Sequence, residues 1–495
     1  MEKVNLEILK SHLWKSADIL RGHIDAADYK NYIFGFLFLK RISDVFDEEA
    51  EKILKETGDR KVAYEDRDYH TFLVPEKAHW SNLKSLTQNI GEAINKANDA
   101  LEEDNPESLE GVLSVVDFND KDRLPDHILS QLISHFSKIR LRNEDLEKPD
   151  ILGDAYEYLI AQFASSAGKK GGEFYTPKEV VELLVEILAP GEGMRICDPA
   201  CGSGGMLIQS VYHLKEKKQN PRNISLFGQE INVGTWAICK MNLLLHGLPS
   251  AQIRRCDTLR DPQLLIQGRL MPFDIVIANP PFSLKNWGYE SAQNDPFKRF
   301  RFGLPPKGYA DYAFVQHMIA IMNPTGRAGV VLPHGALFRG GAEGRIRRGI
   351  VEEDLLEAVI GLPSKLFYGT GIPACLFIIN RNKTRERKGK VFFLNGADDY
   401  QEGKKQNKLC KEDIKKIASS FKEFAAIQKY CRPVPLNEIQ ENEYNLNISR
   451  YIDSSEEEEK IDIQKTLDEL KELKKEYSEI EEKVFQYLRE LNFKV

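Results

Sequence analysis

Asn279-Pro280-Pro281-Phe282 closes a hydrophobic run that begins at Phe273, and these residue types suit one kind of chemistry. An aromatic amino group such as N6 of adenine is a poor nucleophile, because its lone pair is delocalised into the ring. Two carbonyl acceptors, one on each of its hydrogens, pull the nitrogen toward pyramidal geometry and free the pair. The Asn279 side chain can supply one acceptor and the Pro280 backbone the other, since proline has a fixed φ and its carbonyl stays aimed. Phe282 can stack on the face of a base swung out of its helix. Asparagine is no base, but attack on a sulfonium methyl needs orientation and electrostatics, and the proton can leave afterwards. Chance places such a tetrapeptide in a chain of this length roughly once in a hundred.

Three further groups stand at the ends of earlier strand-like runs. The first is "DPACGSGGMLI", residues 198–208. Its glycines permit a tight turn and close backbone approach, and a helix opening there would aim N–H groups at an anionic ligand. The Gly-Lys-Ser/Thr of a P-loop is missing. The second is Glu230 in "FGQEIN". It stands where an acidic residue grips both ribose hydroxyls of an adenosine, and it suits a helix N-terminus equally. The third is Asp257 in "RCDTL", an acceptor for an adenine amino group or a helix cap.

These groups need a scaffold that gathers strand ends. From about residue 151, β-branched runs alternate with helical stretches. "MRICDPA", "ISLFGQEI", "FDIVIANPP", "RAGVVLP", "LEAVIGLP", "CLFIIN" and "VFFLN" read as strands, and 179–188, 204–218 and 233–246 as helices. The alternation predicts an α/β domain with a largely parallel sheet, which binds ligands beyond its carboxyl edge. Residues 1–150 read as helical, with Phe34, Phe36, Leu37, Leu39, Ile42, Val45 and Phe46 at buried-helix spacing. In the tail, Ile463, Leu467, Leu470, Leu473, Tyr477, Ile480, Val484, Leu488 and Leu491 recur at steps of three or four. Such a seam either packs back on the chain or docks on another subunit.

Together the segments "FGFLFLKRISDVF", "GGEFYTPKEVVELLV", "CDPACGSGGMLI", "GQEIN", "NPPF" and "YGTGIPACLFIIN" resemble the modification (methyltransferase) subunit of Type I restriction-modification systems. The resemblance covers essentially the whole chain. It implies a class I S-adenosylmethionine-dependent methyltransferase sheet of Rossmann-like α/β fold, with an N-terminal all-α domain (1–150), a catalytic domain (151–400) and a C-terminal extension (401–495). The implied enzyme is a site-specific, adenine-specific DNA methyltransferase. By the same resemblance Tyr175 and Thr176 approach the methionine end of the cofactor, and Asp198, Ala200, Gly202 and Ser203 line that pocket. Glu230 would hold the ribose, Asp257 the adenine, and Asn279, Pro280 and Phe282 the target base. No recognition module follows the catalytic region. The resemblance therefore implies a separate specificity subunit that reads double-stranded DNA, two methyltransferase subunits for each, and in some complexes a restriction subunit. A Pro-Asp…Asp/Glu-x-Lys nuclease region is not apparent.

The tetrapeptide also serves cytosine N4, RNA bases and glutamine side chains, and a silent scaffold could keep the fold. Composition narrows the field further. The net charge of −7 argues against DNA binding by the whole surface, so a local patch must carry it. Residues 284–308 are the candidate, with Lys285, Lys298, Arg299, Arg301 and Lys307 among Trp287, Tyr289, Phe297, Phe300 and Phe302. They read as a mobile loop over a flipped base, or as a surface insertion. Arg345, Arg347 and Arg348 suit a phosphate contact or a solvated helix face, whereas His317 reads as structural. The seven scattered cysteines show no metal spacing and, without a signal-peptide core at the N-terminus, read as reduced thiols in a DNA-associated cytoplasmic protein. No run is long and apolar enough for a membrane span.

Overall fold

The computed structural model describes residues 3–25, 28–148, 150–167, 176–367, 371–403, 406–453, 463–491 and 493. The chain divides into two compact units, Met1–Ile452 and Asp453–Val495.

The first unit is built on a nine-stranded sheet. In chain order its elements are β1 (Arg195–Asp198), β2 (Ser225–Glu230), β3 (Gln252–Arg255), a two-stranded hairpin β4 (Leu265–Ile266) and β5 (Arg269–Leu270), then β6 (Phe273–Ala278), β7 (Met322–Pro333), β8 (Leu356–Gly361), β9 (Ala374–Asn380), β10 (Lys390–Asn395) and β11 (Cys431–Pro435). Across the sheet the order is β11-β10-β8-β9-β7-β6-β1-β2-β3. β3, β2, β1, β6 and β7 run parallel. β9 is inserted antiparallel between β7 and β8, and β11 closes the far edge antiparallel to β10. The result is a mixed sheet of Rossmann-like kind, parallel but for one inserted strand and one edge strand. The last strand lies beyond residue 400, and the first unit continues to Ile452.

Helices cover both faces. On Lys178–Leu188 the apolar residues Val180, Val181, Leu183, Leu184, Val185, Ile187 and Leu188 are all buried, while Lys178, Glu179, Glu182 and Glu186 face outward, so this amphipathic helix packs on the sheet. Its apolar residues pack with β1, β6 and β8 side chains in one cluster, and each such side chain contributes about 1.5–3 kcal/mol by leaving water. The opposite face carries a second cluster, in which helix Asp311–Ile321 supplies Tyr312, Val315, Met318 and Ile319.

The N-terminal region is all helical. Its long helix, Tyr29–Thr57, is buried nearly all round from Tyr32 to Phe46 and stops at Gly58, whose φ of +70° suits a residue without Cβ. Its core is continuous with the catalytic region. The Phe34 ring stacks on Tyr156 at 3.7 Å between centroids, and the Tyr156 hydroxyl donates to the Ile238 carbonyl at 3.1 Å.

The second unit is the helix Ile463–Glu490. Its seam residues Leu470, Leu473, Tyr477, Ile480 and Leu491 are exposed. Among the described residues no helix is long and apolar enough to cross a membrane.

Candidate active site

The carboxyl ends of β1, β2, β3 and β6 open on one cavity of about 810 Å³, within the size range of small-molecule sites. Of the residues proposed from sequence, Thr176, Asp198, Ala200, Gly202, Ser203, Glu230, Asp257 and Asn279 line it. Tyr175 lies outside the described residues, as do Tyr368, Gly369 and Thr370 of the "YGTGIPA" segment. Pro280 is buried, and Pro281 rather than Pro280 lines the cavity. Phe282 is half-buried and packs edge-on against Phe367 at 6.0 Å.

The glycine loop owes its shape to the groups around it. Gly202 and Gly204 take φ of +52° and +84°, and a Cβ on Gly204 would stand 3.0 Å from the Cys239 sulfur. The Gly202 N–H donates to Glu230 Oε2 at 3.1 Å, and the Asn232 N–H to Glu230 Oε1 at 2.8 Å. Glu230 thus ties the β1 loop to the β2 end and keeps its carboxylate at the cavity wall. Asn242 donates to the Ser203 carbonyl at 2.9 Å, and helix Gly205–Glu216 begins at the end of the loop.

Asp198, 2% exposed, accepts the Ala200 N–H at 3.0 Å. Burial pushes its carboxyl up to about 8, the Ala200 hydrogen bond opposing and the Glu230 charge adding to the rise. It is therefore largely neutral at pH 7 until a cation comes to lie beside it. Glu157, also on the wall, is raised by burial to about 7 against the pull of Lys178. Asp257 caps a turn: its Oδ1 accepts N–H groups of Leu259 and Arg260 at 3.0 and 3.1 Å, and its Oδ2 pairs with the Arg260 guanidinium at 3.3 Å.

Asn279 carries the most telling geometry. Its Nδ2 donates to the Thr176 hydroxyl at 2.8 Å. Its Oδ1 is buried and has no hydrogen-bond partner among the described residues. An unmade buried acceptor costs about 1–3 kcal/mol, so a ligand amino group donating here would remove that penalty. The cavity size, this orphaned carbonyl and two wall carboxyls that a cation would draw into the ionised form fit a cationic nucleoside donor together with an amino acceptor.

Several contributors escape sequence reasoning. The Gln229 side chain, 1% exposed, donates to Thr258 Oγ1 at 3.1 Å and accepts the Gln263 N–H at 2.8 Å. The Thr258 hydroxyl donates to the Pro199 carbonyl, so a neutral chain links three strand ends. Only its place beside Glu230 could have drawn attention to Gln229.

Residues 284–308 differ from the expectation of a mobile loop. Trp287 is 2% exposed and shares a small core with Leu259, Ala310, Ala313 and Phe314. Arg299, 4% exposed, pairs with Asp295 at 2.7 Å and donates to the Thr258 and Leu259 carbonyls at 2.9 and 2.7 Å. The aromatic residues bury one another, and the arginine pins the segment to the β3 turn. Arg301 pairs with Glu353 and Lys307 with Glu290. Lys285 and Lys298 are exposed with no ion pair among the described residues, and Lys285 stands at the cavity. Arg347 is buried on the carbonyls of Tyr444, Ala336 and Arg339, Arg348 pairs with Glu352, and Arg345 is exposed. His317 is buried against Arg299, and burial holds its imidazole well below the usual range, hence neutral.

The profile of the N-6 DNA methylase family matches residues 147–460, and that of the HsdM N-terminal domain matches residues 9–136. The chain belongs to the N-6 DNA methylase family. Among relatives of this methylase, the MjaVII Type I restriction enzyme methylase subunit of Methanocaldococcus jannaschii is 37% identical, over 95% of this chain and 82% of its own length. The HindI methylase subunit of Haemophilus influenzae is 34% identical over 78% and 91%. The crystal structure of a Type I restriction-modification methyltransferase subunit from Streptococcus thermophilus superposes with a TM-score of 0.80 at 32% identity, covering 91% of this chain and all of that one. The methylase is thus a methyltransferase acting on N6 of adenine in DNA, of the Type I restriction-modification kind, as the family resemblance implies and the tetrapeptide alone leaves open.

Proposed function

We propose that the methylase transfers a methyl group from S-adenosylmethionine to adenine N6 in double-stranded DNA as the modification subunit of a Type I complex. A separate specificity subunit reads the sequence, with two methylase subunits for each and a restriction subunit where one is present. The observation that carries the chemistry is the Asn279 amide: its nitrogen is held by Thr176 while its buried carbonyl lacks a partner.

S-adenosylmethionine, when bound, supplies an electrophilic sulfonium methyl. The chain's residues bind, orient and neutralise. The Glu230 carboxylate, fixed by two backbone N–H groups, is placed to accept from the ribose hydroxyls. Gly202 and Ser203 offer backbone at close approach, Ala200 lines the same loop, and Asp257 borders the adenine end, where Arg260 sharing its carboxylate weakens it as an acceptor. Asp198 supplies negative charge for the cation once ionised. By the family resemblance Tyr175 and Thr176 would serve the methionine end, and Thr176 orients Asn279 as well. At the acceptor, the Asn279 and Pro280 carbonyls each take one N6 hydrogen, and the Phe282 ring holds the base face. With the donor bound, these groups would hold N6 toward the methyl as it leaves sulfur for nitrogen, and the surplus N6 proton would pass to water. Orientation and preset dipoles together account for several powers of ten in such transfers.

The test is incorporation of labelled methyl into unmethylated DNA by the complete complex, together with calorimetric titration of S-adenosylmethionine. Asn279→Ala should lower the single-turnover rate by about 10²-fold or more and leave cofactor affinity within about threefold of wild type. Label recovered in RNA, in protein or on cytosine would overturn the reading.

A further inference from the structure

The catalytic turn ends on a residue in an unfavourable conformation. Ser283, next after Phe282, has φ of +53°, a left-handed geometry that side chains other than glycine rarely adopt. Something outside the turn must hold it. The Ser283 N–H donates to Asp311 Oδ1 at 2.8 Å, across 28 residues of chain. Asp311 is the first residue of helix Asp311–Ile321 and is 1% exposed.

The other Asp311 oxygen receives the Arg339 guanidinium. Arg339 Nε and Nη2 also donate to Glu343 at 2.6 and 3.0 Å, and Glu343 is 1% exposed. The arginine lies 4.4 Å over the Tyr309 ring, and its own carbonyl accepts from buried Arg347 at 2.8 Å. A buried carboxylate would hold a backbone N–H poorly if it could rotate. Here a guanidinium fixed at three points keeps it in place.

We infer that Asp311 is the positioning residue of the methyl-transfer turn. Through Ser283 it locks the left-handed exit of Asn279-Pro280-Pro281-Phe282, and Arg339 with Glu343 holds it in place. The arrangement rests on the reading of that turn as the amino-acceptor site. Its consequence is directional. With Asp311 removed, Ser283 relaxes toward an ordinary φ, the Pro280 carbonyl and Phe282 ring lose their aim, and the cofactor loop, built on β1 and β2, is untouched. Near-attack geometry is sensitive to shifts of this kind.

The experiment uses the complete complex with unmethylated DNA and reads two quantities for each variant: the single-turnover methyl-transfer rate constant, which does not depend on the folded fraction, and calorimetric affinity for S-adenosylmethionine. Asp311→Ala should slow transfer at least about tenfold with affinity within about twofold of wild type. Asp311→Asn keeps an acceptor for Ser283 and should recover to within about threefold. Arg339→Gln, at a partly exposed position, serves if Asp311→Ala does not fold, and should slow transfer about three- to tenfold at unchanged affinity. Affinity and rate falling together, or Asp311→Asn as slow as Asp311→Ala, would overturn the assignment, as would a wild-type rate in Asp311→Ala. Failure of the wild-type complex to methylate adenine would instead strike the underlying reading.

Discussion

Asp198 and Asn279 stand on the same cavity for different physical reasons, and each makes a measurable claim. With its carboxyl near 8, Asp198 is mostly protonated at pH 7, and a cation bound beside it favours the ionised form. Binding of S-adenosylmethionine should therefore release close to one proton per site at about pH 7, falling toward none above about pH 9, with affinity rising between about pH 6 and 8. Calorimetry in buffers of different ionisation enthalpy measures this, and Asp198→Asn should abolish the release. For the free protein the sign is opposite. The folded state binds the Asp198 proton more tightly than the unfolded chain does, so this group's contribution to stability falls as pH rises from about 4 to 8. The carboxylates and the asparagine were legible in the sequence because a strand end followed by a polar or glycine-rich residue is a local pattern. Gln229, Thr258 and Asp311 were not. Their partners lie 29, 59 and 28 residues away, and a glutamine or an aspartate looks the same whether it braces a site or faces solvent.

Among the elements, the helix Ile151–Ala167 joins the N-terminal helical region to the sheet. Gly153 on it lies against His246, and a Cβ there would come within 2.3 Å of the imidazole. That ring is 6% exposed and bonded to the Tyr212 hydroxyl at 2.9 Å, so it has little room to turn. Gly153→Ala gains about 1 kcal/mol in helix propensity, but overpacking a core costs about 1–3 kcal/mol. Denaturant unfolding should show a net loss of up to about 2 kcal/mol; a stabilised variant would contradict this packing. Of the nine strands in the large sheet, seven are readable from their β-branched runs and two are not. β3 reads Gln-Ile-Arg-Arg with only Ile253 buried, the pattern of a sheet edge. β11 carries Pro433 and Pro435, which an edge tolerates and a sequence reader takes for a turn. Nor does the sequence mark β9 as antiparallel, because a strand buried on both faces has the same composition in either direction.

For the whole molecule, the telling feature is the terminal helix, whose apolar seam is exposed. Leu473, Tyr477, Ile480 and Leu491 are each more than 60% exposed, a continuous apolar stripe of the kind that marks an interaction surface. We propose that it docks the specificity subunit. Deleting residues 453–495 should abolish co-purification with that subunit and leave S-adenosylmethionine binding by the first unit within about twofold; undiminished assembly would contradict the docking role. The central claim is that Asn279 directs methylation of adenine N6 at sites chosen by the complex. Base-resolution mapping of N6-methyladenine in host DNA, with the wild-type chain and with Asn279→Ala, tests it most directly. Loss of methylation at one split recognition motif in the variant alone is the predicted result, whereas an identical methylation pattern in both strains would contradict the account.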